Sequence, residues 1–304
     1  MAGIYLYGDN QDLYLQALTL AKKLSFEAGE PVCALALHGR EDGFNYGEVN
    51  ELIVLESADA MPENYAKAVA ELLDEADPMT VVMTSTATGR DLAAQVAALR
   101  DLPLASEVQS ATCVDGTLEV SRMMFGGAVV SDECLPRGSV VTLGVGGYDA
   151  APEGEPVSVR TEPVQTSEAL VQVSLETAKS GGTDIATAER VVGVGRGIGD
   201  EQCFAAAQEM ATALGAELGC TRSIAEEFKW LPNESYIGIS GMTVNPDLYL
   251  ALGISGQVQH MVGVRGAKVI VAVNTNEKAP VFQSADYGIV GDVSDVMAAL
   301  MKAL

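Results

Sequence analysis

The chain is short of the residues that most simple site chemistries require. It has only two histidines in 304 residues, which excludes a histidine-rich metal centre. Its five cysteines, Cys33, Cys113, Cys134, Cys203 and Cys220, are scattered, with no C-x-x-C pair and no histidine at ligand spacing. An odd count without a framework argues for a reducing compartment in which thiols act as small hydrophobes. Basic residues are also scarce: 18 Lys and Arg face 42 Asp and Glu, a formal net charge of -24. Nucleic acid is held by cations that neutralise phosphates, so it is excluded as a partner, and an anionic membrane surface is disfavoured on the same ground. No window approaches 18 uninterrupted apolar residues, which argues against a membrane span. The N-terminal stretch MAGIYLYGDN has no basic segment, and Asp9 breaks its apolar run, unlike a signal peptide. The expectation is a soluble, cytoplasmic chain.

Aliphatic residues are plentiful. Residues of the apolar class make up 48% of the chain and aromatics only 5%, and the abundance of Ala, Val and Gly suits layered α/β packing with short turns. The length allows two ordinary domains. Acidity is uneven: residues 1–184 carry a net -19 and residues 185–304 a net -5. Solubility is the plain explanation; steering toward a basic protein partner is the sharper one.

The first half alternates strands and helices. Gly3–Gly8, Pro31–His38, Glu51–Glu56 and Met79–Ser85 read as strands. Asp9 or Asn10 is placed to cap a helix reaching Ala28, Pro62–Ala76 is helical with proline in its first turn, and a turn at Thr86-Ala87-Thr88-Gly89 precedes a helix Arg90–Leu99. This grammar predicts a mostly parallel sheet with crossover helices. From Leu102 to Val173 it changes. Asp115-Gly116 between Val108–Val114 and Thr117–Met124 signals a hairpin, and further runs follow at Val140–Gly144 and Val157–Val164, so an antiparallel extension is expected. The small, polar segment around Lys179–Asp184 marks a hinge between an N-terminal domain, 1–186, and a C-terminal domain, 187–304. There, Arg190–Val194, Tyr236–Ile239, Tyr249–Ile254 and Lys268–Asn274 read as strands, with helices from Asp200 to Leu214 and from Ser294 to Leu304.

Two glycine-rich turns stand out. The first, Gly193-Val194-Gly195-Arg196-Gly197-Ile198-Gly199-Asp200, lies between a strand and a helix, where backbone N–H groups and a helix dipole can hold phosphate. Its spacing is not the NAD fingerprint G-x-G-x-x-G: the sixth residue is Ile198 counted from Gly193 and Asp200 counted from Gly195. Arg196 among the glycines favours anion binding. The second turn runs from Gly253 to His260 after another apolar run, and Ser255 and Gly256 could present donors to a pyrophosphate.

Taken in order, Gly195-Arg196-Gly197, Thr221-Arg222, Ser240-Gly241, GISGQVQH ending at His260, AVN ending at Asn274 and ADYGIVGD ending at Asp292 resemble the C-terminal domain of the electron transfer flavoprotein α subunit. The resemblance extends more weakly to TSTATGRDLAAQVAALRDLPLASEVQ and RMMFGGAVV in the N-terminal half. It implies an N-terminal α/β domain with a mostly parallel sheet, an antiparallel extension and subunit contacts. A doubly wound, Rossmann-like FAD-binding domain would follow. FAD would contact Arg196, Thr221, Arg222, Ile237, Gly238, Ile239, Ser240, Ser255, Gly256, Gln257, Val258, Gln259, His260, Asn274 and Asp292. The resemblance makes His260 the donor at the pyrimidine end of the flavin, sets Arg222 over the isoalloxazine and Ser240 near N5, and assigns no catalytic residue and no metal. Ile239 departs from the glutamine of many members.

The implied assembly is a heterodimer with a β subunit. It would take electrons from an acyl-CoA dehydrogenase-type flavoenzyme and pass them to an acceptor protein such as a quinone oxidoreductase or ferredoxin. The alternatives are an electron-bifurcating complex with a second FAD, which oxidises NADH and serves ferredoxin and an enoyl-CoA reductase, and a nucleotide-binding scaffold without redox function.

Overall fold

A computed structural model describes residues 2–37, 43–59, 61–144, 147–174 and 185–304. The chain divides into two compact units, Met1–Thr177 and Ala178–Leu304. The hinge segment Lys179–Asp184 lies outside the described residues.

The N-terminal unit is built on a nine-stranded sheet. Near its middle, β1 (Ile4–Tyr7) is flanked in parallel by β2 (Val32–Leu37) and, on the other side, β4 (Thr80–Thr84), with β3 (Glu51–Glu56) beyond β2. The runs IYLY, VCALAL and TVVMT are buried at every position, as expected of parallel strands covered on both faces. Helix α1 (Gln11–Ala28) buries Leu18, Leu20 and Leu24 against one face, while α2 (Ala66–Ala76) and α3 (Ala87–Leu99) bury Leu73, Leu92 and Val96 against the other. The antiparallel extension is β5 (Leu104–Val114), β6 (Thr117–Met124) and β7 (Val129–Leu135). Asp115 and Gly116 join β5 to β6 with φ of 49° and 78°, the double left-handed conformation a tight hairpin needs.

The sequence reading differs from this unit in three places. The run at Val140–Gly144 forms β8 (Val140–Leu143), which is not part of the antiparallel extension but lies inside the sheet, parallel to β4 and β5. The run at Val157–Val164 becomes β9 (Val159–Pro163), parallel to β3 at the opposite edge. Helix α3 begins at Ala87, because the Thr86 hydroxyl accepts the Gly89 N–H at 2.9 Å and opens the helix there. The TSTATGRDLA segment is thus a capped helix start. Thr86 also donates to Asp9 at 2.6 Å, which leaves Asn10 to cap α1.

The C-terminal unit is a five-stranded, wholly parallel sheet in the order β11-β10-β12-β13-β14. Its strands are β10 (Arg190–Val194), β11 (Glu217–Cys220), β12 (Leu248–Leu252), β13 (Val269–Asn274) and β14 (Tyr287–Val290). Asp200 caps α4 (Glu201–Leu214) by accepting the Cys203 N–H, and Gly215 ends it at φ 60°. A π-helical turn at Ile224–Phe228, a short helix α5 (Val258–Met261) and α6 (Val293–Ala303) complete the unit. One face packs Phe204, Met210, Ile224 and Met297; the other packs Ile237, Val244, Tyr249 and Val281. The doubly wound α/β class is the one expected. Tyr236–Ile239, expected as a strand, makes only isolated bridges, Cys220 with Tyr236 and Ile237 with Met242. Among the described residues, no helix is long and apolar enough to cross a membrane.

Asn10 accepts the Leu13 N–H at 3.1 Å and is the N-cap of an 18-residue helix. Asn10→Ala should lower the stability of the N-terminal unit by about 1 kcal/mol, read as a shift of its urea midpoint at unchanged slope.

Candidate cofactor site at the strand ends of the C-terminal unit

Strand order reverses between β10 and β12. After β10 the chain adds β11 on one side, then crosses to lay β12, β13 and β14 on the other. Loops leaving the carboxyl ends of strands on either side of such a reversal diverge and open a crevice, where open α/β sheets bind their ligands. Both glycine-rich turns meet here. The Gly195 N–H donates to the Leu252 carbonyl at 2.9 Å, and the Gly197 N–H donates to the Gly253 carbonyl at 2.9 Å. Gly253 has φ +64°, and a Cβ added to it would stand 2.4 Å from the Gly197 carbonyl carbon. The floor of the crevice is therefore main chain against main chain. The N-terminus of α4 opens beside it, after Gly199, whose own Cβ position is open space.

Each sequence-predicted contact residue lies at the carboxyl end of a strand or in the segment that follows it, with Asp292 after β14, two strands beyond β12. Arg196 follows β10, and its guanidinium reaches Glu227 at 3.3 Å. Thr221 follows β11; its N–H donates to Val194 at 2.9 Å and its hydroxyl shares a hydrogen bond with Ser223. Arg222 is exposed and bonds Glu226 at 2.8 Å. The Ile237 N–H donates to Cys220, and the Ile239 N–H to Gln259, at 2.9 and 2.8 Å. The loop Ile237–Ser240 is thus tied both to β11 and to the second glycine turn. Gly238 packs so closely on Gln259 that a Cβ would stand 2.7 Å from its carbonyl oxygen. The Ser240 hydroxyl pairs with the Tyr236 hydroxyl at 3.1 Å, and the Ile239 and Val258 side chains are exposed.

Beyond β12, the Ser255 carbonyl accepts the Val281 N–H, Gly256 packs on the Val281 backbone, and the Gln257 carbonyl accepts the His260 and Met261 N–H groups of α5. Asn274 and Asp292 have local duties. Asn274 donates its amide to the Ile254 carbonyl at 2.9 Å, and Asp292 caps α6 by accepting from Ser294. Those Ser294 bonds hold the Asp292 carboxyl below its usual range.

His260 is the buried ionisable member of the set, 7% exposed. Its Nδ1 lies 3.0 Å from the Ile237 carbonyl, which can only accept, so the ring proton sits on Nδ1. Nε2 then accepts from the Tyr249 hydroxyl at 2.8 Å. Tyr249 reaches it by lying over Gly193, where a Cβ would meet the phenol oxygen at 2.0 Å. Burial drives the imidazole pKa down to about 4, opposed in part by the bond to Ile237. The ring is neutral at physiological pH. Sequence reasoning missed Tyr249, Glu226 and Glu227. The spacing of Arg222 and Glu226, four residues apart, was a readable ion-pair signal; the buried phenol of Tyr249 left none.

These features fit a dinucleotide: a backbone floor, a helix N-terminus, exposed arginines and nearby hydroxyls. Comparison with known proteins narrows the class. The profile of the electron transfer flavoprotein FAD-binding domain matches residues 184–265, and that of the electron transfer flavoprotein domain matches residues 9–170. The chain belongs to the electron transfer flavoprotein α family. Its cofactor is FAD. Protein FixB of Escherichia coli O139:H28 (strain E24377A / ETEC) is 38% identical over 255 residues, which is 81% of this chain and 80% of that protein. Protein FixB of Shigella dysenteriae serotype 1 (strain Sd197) matches to the same extent. Among solved structures, a putative thiamin diphosphate-dependent enzyme from Mycobacterium smegmatis aligns with 99% of this chain and 60% of its own, at 12% identity and a TM-score of 0.25, too low to inform fold or function.

The His260 shift fixes a pH dependence. Its folded pKa, about 4, lies below the ordinary 6.5, so the unfolded chain binds the proton more tightly. The stabilisation is fully present above pH 6.5 and is lost as pH falls toward 4, by about 3 kcal/mol in all. His260→Gln should flatten that part of the stability profile relative to wild type, measured by urea denaturation at stepped pH.

Proposed function

We propose that this chain is the α subunit of a heterodimeric electron transfer flavoprotein and that the crevice between β10 and β12 holds its FAD. The observation that carries the reading is the meeting of the Gly195–Gly199 and Gly253–His260 turns at the strand-order reversal, within the segment matched by the FAD-binding profile. In this reading the backbone N–H groups of the two turns, Arg196 and the N-terminus of α4 receive the pyrophosphate. Thr221, Arg222, Ile237–Ser240 and His260 surround the flavin, and Asn274 and Asp292 shape the far rim. FAD supplies the electron storage; the protein supplies binding, orientation and electrostatics.

His260 holds its proton at Nδ1 against Ile237, which leaves Nε2 an acceptor. Gaining a second proton would make Nε2 donate to the Tyr249 hydroxyl instead of accepting from it, and burial opposes that step. For a one-electron carrier, about 1.4 kcal/mol of differential stabilisation moves the potential by ~59 mV, so one hydrogen bond is enough to bias the direction of transfer.

Membership implies a β-subunit partner, and the N-terminal domain, 1–186, carries its contacts in this reading. Electrons arrive from an acyl-CoA dehydrogenase-type flavoenzyme and leave to an acceptor protein in the cytoplasm. Co-expression with a β subunit of the same family should give a yellow complex that releases one FAD per heterodimer on denaturation and reacts slowly with NADH. A colourless complex would overturn the carrier reading. Two flavins with fast bleaching by NADH would replace it with the bifurcating one.

A further inference from the structure

The π-helical turn Ile224–Phe228 sets two consecutive carboxylates against the two arginines of the crevice. In a π turn the N–H bonds five residues back, here Lys229 to the Ile224 carbonyl, and the chain leaves it through Lys229 at φ 57°. Such turns are rare and recur at functional sites. A left-handed conformation at a residue other than glycine is uncommon and costs free energy, so the surrounding packing must hold this turn in place. Ile224 and Ala225 anchor it in the core. Glu226 reaches back to Arg222, with Nε to Oε2 at 2.8 Å. Glu227 reaches across to the turn after β10, where Arg196 Nη2 faces both of its carboxylate oxygens at 3.3 and 3.4 Å. Both pairs are open to solvent, with side chains between 48% and 69% exposed. Exposed pairs of this kind are individually weak.

We infer that Glu226 and Glu227 are internal anions that hold Arg222 and Arg196 when FAD is absent and yield them to the cofactor when it binds. The inference rests on the crevice being the FAD site. A carboxylate and a phosphate can both take an arginine bidentately, so the π turn keeps Arg196 at the rim where the cofactor's pyrophosphate needs it, and holds Arg222 beside the place of the flavin. The pairs are weak enough to exchange. Glu226 and Glu227 therefore act as positioning residues that set FAD affinity through the arginines, and they do so in a direction opposite to that of a structural contact: neutralising them tightens binding.

The test is FAD titration of the flavin-depleted αβ complex, followed by flavin fluorescence, for wild type, Glu227→Gln, Arg196→Ala and the double variant. Glu227→Gln should bind FAD about threefold more tightly at low salt, and the gain should fade at about 0.5 M salt, where exposed charges are screened. Glu226→Gln should behave in the same way through Arg222. The gain should vanish in the Arg196→Ala background, because only a pairwise effect requires the arginine; a gain that persists there is long-range repulsion and overturns the inference. Unchanged or weaker binding by Glu227→Gln, with Arg196→Ala itself weakening FAD, overturns this inference and leaves the FAD site standing. If Arg196→Ala leaves FAD binding untouched, the reading of the site itself fails.

Discussion

The backbone contact between Gly197 and Gly253 is the constraint on which the C-terminal unit depends. Because β10 and β12 are adjacent and parallel, the turns that leave them emerge side by side and must either splay or touch. They touch, through a hydrogen bond from the Gly197 N–H to the Gly253 carbonyl and a separation too small for any Cβ. A side chain at either position would force the turns apart and raise the crevice floor. The first turn would then lose its tie to the carboxyl end of β12, the second its tie to β10, and Arg196 its place at the rim. The departure from the standard dinucleotide spacing follows from this. The glycines are set by the packing of two turns on each other rather than by one turn wrapped around a pyrophosphate.

Charge in the crevice is local rather than global. The chain as a whole carries a net -24, which repels an anionic cofactor at long range, yet the rim presents Arg196, Arg222 and the N-terminus of α4. The same rim holds its one imidazole neutral, since the Ile237 carbonyl fixes the proton at Nδ1 and Tyr249 fills Nε2. A buried cation here would have to be desolvated before any flavin charge existed to offset it. A neutral ring avoids that cost.

Much of this was legible in the sequence, where the physics is local. Asp200 before an Ala-rich helix and Asp-Gly between two β-like runs dictated an N-cap and a hairpin, because each signal is complete within a few residues. The fully buried strands announced themselves as unbroken apolar runs. The failures lie where context decides. β11 is four residues, ELGC, and β14 is YGIV, each with a glycine inside and too short to carry a period. Tyr236–Ile239 has strand composition, yet Gly238 at φ 148° and the bond from the Ile239 N–H to Gln259 turn it into a loop. The parallel placement of β8 is a matter of topology, which no window contains. At the site, the glycine turns and arginines were readable, whereas the partners of His260 and Arg196, drawn from β12 and the π turn, depended on the fold.

The central claim is that FAD lies at the strand-order reversal, on the floor made by the two glycine turns. Amide hydrogen exchange of the αβ complex, compared with and without FAD, tests it directly. The account predicts strong protection on FAD binding in peptides covering Gly195–Gly199 and Gly253–His260, with the β6–β7 hairpin unchanged. Protection confined to other segments, with both glycine turns exchanging as before, would contradict it.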